Sequence, residues 1–247
     1  MVDAGTVGGD GSPGLTVAMH MSDGLVNAPT AAVFGLVAAI GLAIAASRAR
    51  ADLDERTAPM AGLVTAFVFA VQMINFPILP GASGHLLGGA LVAILVGPWV
   101  GSLCIAIVLV VQALLFADGG LTALGTNITN MALVGTLTGY LVAYALRRFA
   151  ARSRTGLLVT SFVAALINTV VASLAFVLEY AIGGAGGAGL GTVAALMVGL
   201  HVLVGIGEGI ITAATVGAVA AVRPDLVYLL RGTRPAVTLR TPGEGVR

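Results

Sequence analysis

Two of the three histidines in the chain are placed where they could bind a metal ion. His20 precedes the first apolar segment, and His85 follows a loop that contains proline and glycine. Neutral imidazoles are suitable ligands for Ni(II), Co(II), Cu(II) and Zn(II). The alternative is that His85 hydrogen-bonds its own loop and that His20 is merely exposed. The spacing of the two histidines, taken alone, favours this alternative.

A free amino group on Met19 would strengthen the metal hypothesis. This amine, the deprotonated amide nitrogen of His20 and the His20 imidazole would form two fused chelate rings, and His85 could supply a fourth nitrogen. Four nitrogens in a plane suit Ni(II), are compatible with Co(II) and suit tetrahedral Zn(II) poorly. Residues 1–18, if they remain attached, convert the amine into an amide and spoil this donor set. They contain no Lys or Arg and make a poor signal peptide.

The composition is that of a membrane protein. The 247 residues are 58% hydrophobic and 9% charged, with a mean hydropathy of +1.04, whereas soluble proteins contain about 25% charged residues. Apolar segments approach the ~20 residues that cross a bilayer, at approximately 28–46, 59–76, 84–97, 99–116, 127–146, 157–182 and 195–222. We therefore predict an all-α, polytopic bundle of about seven transmembrane helices in the cell membrane. No nucleic-acid partner is expected.

The arginines predict the orientation of this bundle. All twelve basic residues are arginines, and they follow only the first, the fifth and the last apolar segments. Loops rich in Arg stay in the cytoplasm, so the N-terminus is predicted outside and the C-terminus inside. This parity requires segment 84–97 to cross, although about 14 residues give only roughly 21 Å of helix. We therefore expect a short helix that its neighbours bury.

Polar residues near the outer helix ends are candidates for orienting the ligands. Asn75 and Asn127 are predicted to do so, whereas Gln72, Gln112 and Asn168 are assigned to helix packing. The glycine-rich loop between the last two segments is predicted to be flexible and featureless.

The last helix contains two further groups that could do chemistry. His201 and Glu208 lie seven residues apart, on one face. An ionisable side chain inside the membrane is a functional candidate, but the depth of Glu208 favours a structural or coupling role over metal binding. The alternative function is an intramembrane serine protease that uses Ser83, in the sequence Gly-Ala-Ser-Gly, and His201. The four-residue motif is weak evidence, and it precedes the third helix rather than a later one.

The absence of lysine limits what this chain does by itself. The Walker motif for phosphate binding requires Lys, so any ATP-driven work must be done by another subunit. We therefore predict a protein that is not an enzyme.

Several ordered motifs together resemble one protein family. They are Met19-His20-Met21-Ser22-Asp23-Gly24-Leu25, Gln72-Met73-Ile74-Asn75-Phe76-Pro77, Ser83-Gly84-His85-Leu86-Leu87-Gly88-Gly89-Ala90, Gly97-Pro98-Trp99 and Gln112-Ala113-Leu114-Leu115-Phe116-Ala117-Asp118-Gly119-Gly120-Leu121-Thr122-Ala123-Leu124-Gly125. The family is the substrate-capture subunit, of CbiM/NikM type, of energy-coupling-factor transporters for cobalt and nickel. The resemblance covers roughly residues 19–222.

The resemblance implies a seven-helix protein whose N-terminal Met-His segment inserts into the bundle and binds Co(II) or Ni(II) from outside. The implied ligands are the Met19 amine, the His20 amide and imidazole nitrogens, and His85. The implied partners are a transmembrane coupling subunit, ATP-binding subunits and, in some systems, a small accessory membrane subunit. Members of the family begin at the residue that matches Met19, so residues 1–18 are interpreted as a misassigned start. Residues 223–247 are predicted to form a cytoplasmic tail.

Overall fold

The computed structural model describes residues 20–55, 57–74, 76–79 and 82–232, with 76–79 and 82–84 described as backbone only. Helices dominate this part of the chain. They are α1 (Ala28–Asp52), α2 (Thr57–Gln72), α3 (Gly89–Val96), α4 (Pro98–Leu115), α5 (Leu124–Ala145), the single turn α6 (Arg147–Ala150), α7 (Arg154–Gly183) and α8 (Leu190–Val222). Five of them, α1, α4, α5, α7 and α8, are long and apolar enough to span a bilayer, and α2 is a shorter apolar helix. The predicted helical membrane bundle is confirmed.

Each of the seven apolar segments contains a helix, but the loop before α3 was not predicted correctly in detail. Strands β1 (Phe76–Leu79) and β2 (Ala82–Gly84) pair antiparallel there and form a small hairpin. Two 3₁₀ turns, Pro224–Leu226 and Tyr228–Leu230, follow α8. The chain direction across the membrane stays a prediction from the arginines.

Local sequence accounts for several helix ends. The Asn27 side chain accepts a hydrogen bond from Thr30 N at 3.0 Å and caps α1, and Ser153 caps α7 in the same way through Gly156 N at 2.9 Å. Short polar side chains at this position satisfy backbone donors that the helix leaves unpaired. Helix α1 therefore begins at the predicted residue 28, whereas α7 begins at Arg154, three residues before the predicted segment 157–182.

Helix α3 is shorter than the sequence predicts. It has eight residues, all buried, and it is bounded by Gly88 (φ +80°) and Gly97 (φ +90°). Both glycines adopt left-handed backbone that other residues adopt only at a cost. Residues 85–88 run without helical structure into α3. The predicted segment 84–97 placed His85 at the start of a helix, but His85 lies in a buried non-helical segment.

Helix α5 contains a stretch of wider turns that no sequence pattern predicted. Residues Ile128–Gly135 form π-helical turns inside an otherwise α-helical segment. Such turns are rare in proteins, and those that occur often lie at functional sites. They lie next to Asn127 and include Asn130, two buried polar residues that face neighbouring elements.

The N-terminal segment, residues 20–27, lies across the loop that joins α7 to α8. Asn27 N donates to Gly183 O at 2.7 Å and Ala185 N donates to Leu25 O at 2.9 Å. Val26 and Gly184 form an isolated antiparallel bridge. The glycine-rich loop, expected to be featureless, therefore anchors the segment that contains His20.

Candidate metal-binding site

The two histidines that the sequence singles out lie together inside the protein. Their ring centroids are 4.5 Å apart and the ring planes are inclined at 42°. Exposure is 3% for His20 and 2% for His85. Two residues far apart in the chain thus form one buried pair, and the expectation of an exposed His20 is wrong.

In both rings, Nδ1 is the nitrogen that contacts protein. His20 Nδ1 lies 3.0 Å from Asp118 Oδ1, and His85 Nδ1 lies 2.9 Å from the Leu86 carbonyl oxygen. Both acceptors require Nδ1 to donate a proton, which leaves a lone pair on Nε2 of each neutral ring. This is the arrangement in which protein histidines bind metals, because the second hydrogen bond fixes the tautomer and the ring orientation.

Neither Nε2 atom has a hydrogen-bond partner among the described residues, although both atoms are buried. Burying a polar nitrogen without a partner is unfavourable by about 1–3 kcal/mol. Two such atoms on adjacent rings are explained if an ion binds between them. A buried water that bridges them is the other chemical solution.

The predicted planar chelate requires a different orientation of His20. Fused rings through the Met19 amine and the His20 amide can only close on Nδ1, the ring nitrogen nearer the backbone. That nitrogen faces Asp118 in this structure, so the chelate needs a half-turn of the imidazole about its bond to Cβ. Met19 lies outside the described residues, and its amine stays a prediction.

The loop between α4 and α5 holds His20 in place. The hydrogen bond with His20 lowers the pKa of Asp118 and keeps this side chain an acceptor. Gly119, at φ +88°, lies directly against the His20 side chain, since a Cβ built on it would approach His20 Cβ to 3.3 Å. The loop thus requires glycine at this position for both its backbone conformation and its space.

The backbone next to His20 is bound on both its polar groups. Met21 N donates to Asn127 Oδ1 at 2.8 Å, while Met21 O accepts from Asn127 Nδ2 at 3.0 Å and from Gly120 N at 3.1 Å. Asn127 therefore acts on the candidate ligand through the backbone of Met21. Asn75, the other residue expected to orient ligands, lies outside the described residues.

A third contact fastens the same N-terminal segment. Asp23 Oδ1 accepts hydrogen bonds from Thr122 N at 2.7 Å and from the Thr122 hydroxyl at 2.5 Å. These bonds lower the pKa of Asp23 and keep it ionised. Asp118 and Asp23 both fall within the family motifs, but neither was predicted from the sequence to have a role.

Glu208 holds the segment that contains His85. Its Oε2 accepts from Leu87 N at 2.9 Å and from the Thr169 hydroxyl at 2.9 Å, and its Oε1 accepts from Gly88 N at 3.1 Å and Asn168 Nδ2 at 2.9 Å. A carboxylate accepts such bonds on both oxygens. The N–H groups of the buried non-helical backbone after His85 are therefore satisfied by Glu208 on α8, which Asn168 and Thr169 on α7 hold in place.

Two residues assigned to packing also support the site. Gln72 donates through Nε2 to Leu87 O at 2.6 Å and so holds the same segment as Glu208. Asn168 acts on that segment through Glu208. Gln112 Nε2 contacts Met73 Sδ at 3.9 Å, in keeping with a packing role.

The structure does not describe a distance between Ser83 and His201, the two residues of the alternative protease hypothesis. His201 is buried in α8 and its Nδ1 lies 2.6 Å from Met197 O, while the Ser83 side chain is outside the described part. Within the described ranges, no group of three or more His, Cys, Asp and Glu side chains could hold a metal ion. The His20–His85 pair therefore needs at least one further donor from outside that set.

Comparison with known proteins agrees with this architecture. Residues 20–226 match the family model CbiM, described as the cobalt uptake substrate-specific transmembrane region. A protein of Archaeoglobus fulgidus, provisionally named fused nickel transport protein NikMN, is 39% identical over 209 residues, which are 85% of this chain and 68% of that protein. The cobalt transport protein CbiM of Sorangium cellulosum is 31% identical over 225 residues, covering 88% and 98% of the two chains.

A solved structure shares the fold. The crystal structure of a transition metal transporter superposes with a TM-score of 0.75 at 29% sequence identity. The superposition covers 87% of this chain and 100% of that chain.

Proposed function

Because this chain belongs to the CbiM family of membrane proteins for cobalt and nickel uptake, we propose that it is the metal-capture subunit of an ATP-driven energy-coupling-factor importer. It binds Co(II) or Ni(II) between His20 and His85. Residues 19–222 form the capture domain, to which the family match over residues 20–226 gives support. The chain itself is a multi-pass protein of the cell membrane.

The observation that supports this proposal most strongly is the pair of unpartnered Nε2 atoms. Both nitrogens are buried, both lack a hydrogen-bond partner in the described chain, and the rings are adjacent. Imidazole nitrogen suits Ni(II) and Co(II), and excluding water from the site strengthens binding to the ion. The Met19 amine and the His20 amide nitrogen are the further donors we propose. In this four-nitrogen site His85 binds through Nε2, whereas His20 turns and binds through Nδ1 in place of Nε2.

The N-terminal strap, residues 20–27, suggests how the ion is enclosed. It is fastened by the α4–α5 loop at Met21 and Asp23, and by the α7–α8 loop at Leu25. An ion bound by His20 is covered when these contacts form. Release to the cytoplasm then needs work on the bundle, which we assign to a transmembrane coupling subunit and ATP-binding subunits, with a small accessory membrane subunit where one is present.

The ligands are tested by substitution and metal binding. We expect His20→Ala and His85→Ala each to weaken Ni(II) or Co(II) binding. Loss of a group that only orients a ligand weakens metal binding by about 10- to 100-fold, and loss of a ligand itself should weaken it more. Titration calorimetry on detergent-purified protein and metal analysis measure the effect. Cys104→Ala is the control. It also removes a buried side chain of a metal-binding type, but this thiol lies on α4 outside the proposed site and donates to Ala61 O at 3.8 Å. Unchanged affinity in both histidine variants would contradict the proposal.

The amine is tested separately from the imidazoles. A protein that starts at Met19 is compared with one that has a single alanine placed before Met19. If the amine is a ligand, the added residue converts it to an amide and weakens binding, whereas equal affinity of the two proteins would remove the amine from the site but leave His20 and His85 in it.

A further inference from the structure

We propose that Asn130 and Glu179 form a second, inner binding site for the divalent cation, next to Asn127, which holds the capture segment at Met21. This inference rests on the proposed function, since it concerns the same ion after capture. Neither residue was predicted from the sequence to bind metal.

The two side chains form one fixed pair. Asn130 Nδ2 donates to Glu179 Oε2 at 2.7 Å. This bond orients both groups and leaves Asn130 Oδ1 and Glu179 Oε1 available for a further partner. Both of these oxygens are buried and have no hydrogen-bond partner among the described residues. Two acceptor oxygens without donors, on side chains that are already paired, favour a cation as their common partner.

The two buried glutamates differ in how their oxygens are satisfied. Exposure is 1% for each of them. Glu208 accepts four hydrogen bonds spread over both oxygens, whereas from the residues that the structure describes Glu179 accepts one, from Asn130. A buried carboxylate with so little compensation carries a proton or a cation, because an isolated charge in a membrane bundle is strongly unfavourable. The hydrogen bonds of Glu208 thus indicate a structural role, whereas Glu179 can exchange a proton for a cation.

The position of the pair suggests its place in transport. Asn130 lies three residues after Asn127 on α5. Both asparagines line a small cavity that also contacts Ser173 and His201. Asn127 binds the Met21 backbone beside His20. The cavity therefore joins Asn127, which holds the capture segment, to Asn130, which lies within the wide turns of α5. Glu179 is not among its lining residues and is linked to it through Asn130.

The ligand chemistry differs from that of the capture site. A carboxylate and an amide carbonyl are hard oxygen donors, which suit Mn(II) as well as Co(II) and Ni(II) and hold the latter two less tightly than nitrogen donors do. An ion that moves from imidazole to oxygen ligands passes to a weaker site. Such an order of affinities serves release rather than capture.

The test uses the full chain with the capture site removed. In the double variant His20→Ala, His85→Ala, we expect one residual weak site for Mn(II), measured by electron paramagnetic resonance of free and bound Mn(II). Adding Glu179→Gln should reduce this residual binding by at least about tenfold, as expected when a charged ligand is lost. In the otherwise unchanged protein, Glu179→Gln should leave the high-affinity binding of Ni(II) intact.

A second variant keeps the test decisive if Glu179→Gln fails to fold. Asn130→Asp places a second carboxylate against Glu179, and we expect it to tighten Mn(II) binding in the double-variant background. Residual Mn(II) binding that neither Glu179→Gln nor Asn130→Asp changes would overturn the inner site, because the ion would then bind elsewhere. Wild-type Ni(II) affinity in the double variant would instead overturn the proposed function.

Discussion

Glu208→Gln is the substitution that most directly tests how His85 is positioned. The change keeps the size of the side chain but replaces one acceptor oxygen by an NH₂ group. If the new amide nitrogen occupies the place of Oε1, it faces the Gly88 N–H. If it occupies the place of Oε2, it faces the Leu87 N–H. Asn168 and Thr169 can turn to accept a hydrogen bond, but a backbone N–H cannot.

One buried backbone donor therefore loses its acceptor in either orientation. Leaving such a donor unsatisfied costs about 1–3 kcal/mol. If residues 85–88 move away in the free protein to regain a partner, the ion must restore their position when it binds. At about 1.4 kcal/mol per tenfold change, this lowers the affinity by roughly 5- to 150-fold, which overlaps the about 10- to 100-fold known for outer-shell partners. We expect a loss in that range.

The assay is calorimetric titration with Ni(II), with thermal unfolding measured on the same preparations. Glu179→Gln is the matched control, because this residue is equally buried and its hydrogen bond from Asn130 Nδ2 can be kept by the carbonyl of the new amide. We expect the control to bind Ni(II) at the capture site with wild-type affinity.

A positioning role for Glu208 predicts that the Kd for Ni(II) rises in Glu208→Gln. A lower unfolding temperature with unchanged Kd would show that Glu208 stabilises the bundle without setting the position of His85, and would refute that role. Glu208→Ala is less informative, because it removes the acceptor of two backbone N–H groups together and threatens folding.

Two further substitutions test the contacts of the N-terminal strap. Asn127→Ala removes both side-chain hydrogen bonds to Met21, so Ni(II) affinity should fall by about 10- to 100-fold, as measured by titration. An unchanged Kd would show that the strap's other contacts, among them Gly120 N to Met21 O, position His20 without Asn127. Gly119→Ala imposes a left-handed conformation on a residue with a Cβ, at about 1–2 kcal/mol, and brings that Cβ to 3.3 Å from His20 Cβ. It should lower both the unfolding temperature and the affinity. The control Gly191→Ala, at an exposed position in α8 with open space around it, should leave the affinity unchanged without lowering the unfolding temperature, because alanine suits a helix better than glycine.

The sequence predicted the membrane architecture because the signal is local. Apolar segments of sufficient length identify helices without knowledge of any contact, and Asn27 and Ser153 act on helix ends only three residues away. The short third helix was predicted too long, because apolar character alone does not distinguish helix from buried non-helical chain. The left-handed backbone of Gly88 and the hydrogen bonds made by Glu208 and Gln72 decide where the helix begins there.

The candidate ligands also followed from the sequence, because His20 and His85 stand out by residue type and by position relative to the apolar segments. The motifs around them indicated the family. Their partners did not follow. Asp118 and Glu208 lie 98 and 121 positions from the groups they bind, and no periodicity links such distant positions.

What the sequence alone determined is therefore the class of protein and the nitrogen donors, since hydropathy and residue chemistry are properties of single segments. Only the tertiary structure decided that the two imidazoles are adjacent and buried, that Nδ1 is occupied in each, and that one buried glutamate is fully hydrogen-bonded while the other is not. The physical reason is that burial and hydrogen-bond satisfaction belong to pairs of groups, and the pairs here are formed by packing of helices distant in the chain.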